Sequence, residues 1–138
     1  MPLKLEDDQM CYVCGSNNPS GLKLRFEHHK KGLLKAEVTF SKDHQGFKDI
    51  VHGGMLATVL DEMMVNLAWK EGKPAVTAEL TVRFKKPAKT GHKILLEGRI
   101  DREEGRAIYA HSIAKDEHGE LLAQATATCL LIHQPLNS

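Results

Sequence analysis

One long apolar stretch, Met55 to about Lys70, stands between two alternating runs on its N-terminal side and four on its C-terminal side, and this order limits the fold more than any other feature. Gly72 and Pro74 close the stretch as they close helices. Within it Leu56, Val59, Leu60, Met63 and Leu67 recur at three- and four-residue spacing, the pattern of a core face. The runs before it, Leu22–Phe26 and Leu33–Phe40, are joined by Lys30-Lys31-Gly32 and predict a hairpin. The runs after it are Val76–Lys85, Ile94–Ile100, Ala107–Ala114 and Leu122–Ile132. They are separated by Pro87 with Gly91, by Glu104-Gly105 and by Glu117-His118-Gly119, all turn chemistry. Short connections make the sheet antiparallel. A helix apolar on nearly every side must be covered by that sheet on one face and by something else on another, so the expected class is α+β.

The 138 residues suffice for one domain with a proper core. Nineteen Lys and Arg against eighteen Asp and Glu leave a net charge of +1, which gives no global attraction to nucleic acid or to an anionic membrane. No run approaches the ~18 apolar residues of a membrane span. Acids at Glu6, Asp7 and Asp8 lie where a secretory signal has its apolar stretch, so a cytoplasmic chain is expected. Residues 1–20 read as an irregular arm and 21–138 as a single domain. Cys11, Cys14 and Cys129 are an odd number without a disulfide framework. Cys11-x-x-Cys14 has the spacing of half a zinc site, but there is no second Cys pair, and His28 and His29 would join only through an unusual arrangement. No metal and no cofactor are therefore expected. Cys129 reads as core, and His111 and His133 as packing or solvent-facing residues.

The chemistry concentrates at His52-Gly53-Gly54, where two glycines leave backbone N–H groups uncovered at the start of the helix. Such groups lack intrahelical acceptors and carry partial positive charge, so they can polarise a carbonyl oxygen. Asp61 lies on the same helix, with Ala57, Thr58, Met64, Val65 and Ala68 at neighbouring positions. A carboxylate in that strip costs free energy unless it is paired or used, and a structural hydrogen bond competes evenly with a catalytic role. Glu62, beside Thr58, Asn66 and Trp69, has the more polar surroundings and is a candidate for binding substrate. Asp61 follows Gly53 by eight residues, roughly 12 Å along the axis at about 1.5 Å per residue, so one helix cannot bring both to one substrate. A second, oppositely running copy would, and the motif therefore predicts a dimer.

The segment Gln45-Gly46-Phe47-Lys48-Asp49-Ile50-Val51-His52-Gly53-Gly54 through Asp61-Glu62 resembles the signature of hotdog-fold acyl-CoA thioesterases of the PaaI-like and 4-hydroxybenzoyl-CoA type. Thr77 to Gly91, ending in Pro87-Ala88-Lys89-Thr90-Gly91, is similar to the strand that follows the helix in that family, and Cys11 to Leu22 looks like the N-terminal extension of one subgroup. The resemblance implies an antiparallel sheet of five or six strands wrapped around the helix, with dimers joined edge to edge and usually paired into tetramers. It implies an acyl-CoA substrate held at the dimer interface, with the thioester oxygen on the Gly53 N–H and Gly54 beside it. His52 would support the turn, Asp61 of the other subunit would drive hydrolysis, and Thr77 would help place water. Relatives often have an Asn or Gln seven residues before the oxygen-binding glycine; here that position is Gly46, and Gln45 is one residue away. Arg83, Lys85, Lys86 and Lys89 are candidates for the coenzyme A phosphates, with a lysine-protected strand edge as the plain alternative.

Two other functions belong to the same fold. Hydroxyacyl dehydratases and hydratases use a His as base in a different loop sequence, and non-catalytic acyl-CoA-binding proteins need no helix acid. His52 locked to two glycines and the presence of Asp61 both favour hydrolysis. Phe47, Met55, Met64 and Trp69 are candidates for the acyl cavity and equally for core.

Overall fold

The computed structural model describes residues 5–132; His133 lies outside them. The elements are β1 (Phe26–Lys30), β2 (Leu33–Thr39), α1 (Gly53–Lys70), β3 (Ala75–Phe84), β4 (Lys93–Glu104), β5 (Ala107–Lys115) and β6 (Leu121–Leu131). All strand pairs are antiparallel, in the order β1-β2-β4-β5-β6-β3, so β1 and β3 are the two edges. The helix packs against β2 through β6, and its buried residues are the expected Leu56, Val59, Leu60, Met63 and Leu67, with Met64 and Ala68 added. This is the hotdog arrangement of one helix wrapped by a six-stranded sheet. No helix among the described residues is long and apolar enough to cross a membrane.

The first strand differs from the sequence expectation. Of Leu22–Phe26 only Phe26 is strand, and β1 runs from there to Lys30. The Leu22 and Leu24 N–H groups donate instead to the Tyr12 and Val13 carbonyls, both at 2.8 Å, and Lys23 sits at a left-handed φ of 51°, which a strand does not accept. The arm competes for these backbone groups and wins, with Val13 and Leu24 both buried in the core.

Helix and sheet approach closely at Gly98 on β4, where a Cβ would stand 2.4 Å from the Met63 carbonyl oxygen. Nearby, the buried Ser112 hydroxyl donates to the Leu60 carbonyl at 2.9 Å. Gly98→Ala would force α1 away from β4, and overpacking of this kind costs about 1–3 kcal/mol. Urea unfolding should show a lower midpoint at unchanged slope, and an unaltered midpoint would contradict the close approach.

The edge strand β3 carries a bulge between Thr77 and Glu79 that shifts its phase. Before the bulge, Ala75 and Thr77 lie opposite Leu131 and Cys129, on the helix side; after it, Leu80, Val82 and Phe84 take that side, opposite Ala127, Ala125 and Ala123. Cys129 is fully buried, as its position in the alternation predicts.

Candidate active site

His52 is the N-cap of α1, and its ring Nδ1 accepts the Gly54 N–H at 2.9 Å. An N–H can only donate, so Nδ1 is unprotonated and the ring proton lies on Nε2. This bond consumes the Gly54 amide. Because Met55 and Leu56 donate to the His52 carbonyl, the Gly53 N–H is the helix-start amide with no acceptor among the described residues. A Cβ at Gly53 would lie 3.3 Å from Phe84 Cζ, so the ring of β3's last residue stands directly over the glycine.

Two turns along the helix, Asp61 is half-buried and its Oδ1 accepts the Thr77 hydroxyl at 2.7 Å. The bulge that follows Thr77 ends the odd-numbered helix-facing phase at this residue and lets Phe84 reach Gly53 at the other end of the strand. Asp61, Thr77, Val65, Trp69 and the arm residue Met10 line an open groove of about 870 Å³. Glu62 lines it too, but its Oε1 accepts from Asn66 Nδ2 at 3.2 Å and from the Cys14 thiol at 3.5 Å. Burial pushes the Glu62 carboxyl up, the bonds from Asn66 and Cys14 pull it down, and the charge of Asp61 adds to the rise. Asn66 Oδ1 is buried with no partner among the described residues, an acceptor left over beside the groove.

The structure thus brings Asp61, Thr77 and Glu62 together and leaves Gly53 at the opposite end of β3. Gln45 lies in the loop before the helix, where its Oε1 accepts the Asp49 N–H at 3.1 Å and holds that residue at a left-handed φ of 61°. The four basic residues do not form one patch. Arg83 lies opposite Gln124 on the sheet face turned from the helix, and Lys85 is exposed just beyond the strand. Lys86 pairs with Glu120, and Lys86 and Lys89 line a separate groove of about 520 Å³ with His92 and Glu117. Of the apolar candidates, Met64 is core, Trp69 lines the groove with its Nε1 donating to the Ala75 carbonyl, and Phe47 is 87% exposed. Sequence reasoning missed Phe84 as the cover of Gly53, because strict alternation from Thr77 puts it on the wrong face. It missed the Cys11–Cys14–Glu62 cluster too, because 48 residues separate Cys14 from Glu62.

One helix wrapped by a six-stranded antiparallel sheet is the fold of the hotdog thioesterase structures. The family model of the thioesterase superfamily matches residues 48–123, and the chain belongs to that superfamily. Human acyl-coenzyme A thioesterase 13 is 26% identical over 101 residues, covering 70% of this chain and 71% of its own length. Among solved structures, a thioesterase superfamily protein superposes with a TM-score of 0.84 at 24% identity over 88% of this chain, which spans only 60% of that longer one. A hypothetical thioesterase protein of Streptococcus pneumoniae, solved with coenzyme A, gives a TM-score of 0.74 at 17% identity over 78% of this chain and 87% of its own.

Proposed function

We propose that the protein hydrolyses acyl-CoA thioesters to free acid and coenzyme A at a site shared by two copies, Gly53 from one and Asp61 from the other. The observation that carries this reading is the division of the machinery along β3, with an unsatisfied amide under Phe84 at one end and the Asp61–Thr77 pair at the other. β3 is an edge strand of ten residues whose helix-side Leu80 and Phe84 are 37% and 55% exposed. A two-fold axis perpendicular to the sheet, just outside the free edge of β3 and level with its middle, would continue the sheet antiparallel and set both helices on one face in opposite senses. It would also bring the Gly53 end of one copy to the Asp61 end of the other, and cover Leu80 and Phe84. Pairing of two such dimers into a tetramer extends the same reading.

In this site the thioester oxygen accepts the Gly53 N–H at the positive end of α1, where negative charge develops as the carbonyl carbon becomes tetrahedral. Thr77 holds one oxygen of Asp61 and leaves the other for the substrate. Asp61 then either takes a proton from water, whose oxygen bonds to the carbonyl carbon as the C–S bond breaks, or attacks that carbon to give an anhydride that water cleaves. In both courses the sulfur leaves with the electron pair of the C–S bond and takes up a proton. Gln45, one loop before the helix, has its amide nitrogen available as a second donor. Arg83, Lys85 and Lys89 are cations for the coenzyme A phosphates, while Lys86 is engaged by Glu120.

Two observations on relatives support the reading. The Streptococcus pneumoniae protein was solved with coenzyme A, and structures from the same organism carry an Asp or a Thr replaced by Ala at positions with the same separation as Asp61 and Thr77. The His52 geometry weighs against a dehydratase, since Nδ1 already accepts a hydrogen bond and Nε2 carries the proton, leaving no basic nitrogen free. A thiol-release assay across short, medium, long and aryl acyl-CoA esters tests the proposal. Release from at least one class is expected; release from none would favour the dehydratase or the binding protein.

A further inference from the structure

We propose that Cys11, Cys14 and Glu62 form a binding site for one zinc-class divalent ion that clasps the N-terminal arm to α1, beside Asp61. The two Sγ atoms and a Glu62 carboxylate oxygen all lie within 4.8 Å of one another, and Cys14 Sγ is 3.5 Å from Glu62 Oε1. Around a tetrahedral ion with bonds of about 2.3 Å to sulfur and about 2.1 Å to oxygen, neighbouring ligand atoms stand roughly 3.5–3.8 Å apart, so little movement separates this cluster from a coordination shell. Two thiolates select a soft or borderline ion over magnesium or calcium. The three protein groups leave a fourth position for water.

The backbone places both thiols without help from an ion. The Gly15 N–H donates to the Cys11 carbonyl at 2.8 Å, rolling the chain so tightly that a Cβ at Gly15 would stand 2.4 Å from the Cys11 nitrogen. Val13, between the two cysteines, is buried, and its carbonyl accepts from Leu24, which anchors the turn to the domain. Cys11 and Glu62 line the same groove as Asp61 and Thr77, so an ion here would fix one wall of that groove. On binding, each thiol gives up its proton to solvent and the carboxylate exchanges the Cys14 S–H for the metal. One M²⁺ and two protons change places, and the loaded site carries a net charge of −1.

Cobalt(II) titration of the full, reduced chain tests this directly. One equivalent should produce a thiolate-to-cobalt charge-transfer band with the visible bands of a tetrahedral ion, both erased by one equivalent of zinc. Cys14→Ser should abolish the charge-transfer band. Glu62→Gln should keep it but weaken affinity by about tenfold or more, since loss even of a group that only orients a ligand costs about 10–100-fold. In the unmodified protein, zinc should raise Tm and a chelator should reverse the rise, a readout that needs no variant to fold. The proposal fails if the reduced protein shows no charge-transfer band, if Cys14→Ser shows the same band as wild type, or if zinc leaves Tm unchanged.

Discussion

Asp61→Asn is expected to lower kcat for acyl-CoA hydrolysis by about 10²–10⁴-fold, the usual contribution of a positioned general base, and by more if Asp61 attacks the carbonyl directly. The fold should survive. Asn keeps an oxygen to accept the Thr77 hydroxyl, which now donates at 2.7 Å, and the side chain is only half-buried in an open groove. Circular dichroism and a thermal melt verify the fold, and thiol release under saturating substrate gives kcat. A folded Asn variant with more than a tenth of wild-type kcat would remove Asp61 from the mechanism.

The second large effect concerns the amide at the helix start. Gly53→Pro deletes the helix-start N–H that has no acceptor among the described residues, and loss of an oxyanion donor costs about 10²–10³-fold in kcat. Proline suits this position, since it is favoured at the first residue of a helix and the preceding His52 already has extended geometry at φ −60° and ψ 133°. The ring of Phe84, 3.3 Å from the added carbon but 55% exposed, can turn aside. Co-expression of Gly53→Pro with Asp61→Asn then tests whether the site is shared. In a mixed dimer one site combines the intact Gly53 of one chain with the intact Asp61 of the other, while the second site carries both lesions. Statistical mixing of a two-fold dimer should therefore restore about one quarter of wild-type activity. If both groups acted within one chain, every site would hold a lesion and the mixture would stay as inactive as its parts.

Much of the frame was legible in the residues because it rests on local periodicity. The three- and four-residue spacing of Leu56 to Leu67 marks a helix whichever sheet covers it, and Gly72 with Pro74 ends it near where the structure does. The last four strands were found within a few residues of their ends, since their turns carry glycines that in the structure adopt left-handed φ, as at Gly105 and Gly119. The first strand was misplaced. Leu22–Phe26 has strand-like composition, but its backbone groups are claimed by the arm, a long-range competition that no pattern within five residues reports.

The site divides in the same way. His52-Gly53-Gly54 was recognisable because helix capping is local: the cap residue, its ring nitrogen and the amide it satisfies lie within three consecutive residues. Which of the two glycine amides stays open depends on where the His52 ring turns, and that is a matter of three-dimensional packing. The polar surroundings of Glu62 can be read from the helix spacing that puts Asn66 one turn on, but its second partner, Cys14, comes from the arm and is a tertiary contact. Arg83 and Lys86 stand three residues apart in the sequence, but Arg83 is still in β3, on the face turned from the helix, while Lys86 lies past the strand's end and pairs with Glu120, which is distant in the chain.

The sequence by itself determined the single helix, the strands that follow it, the capped amide and the eight-residue gap to Asp61, all of them consequences of bond geometry over a few residues. Only the tertiary structure decided that β3 is an edge, that a bulge after Thr77 turns Phe84 onto Gly53, and that two cysteines of the arm meet Glu62. These depend on contacts between residues far apart in the chain, which are fixed when the sheet closes around the helix and not before.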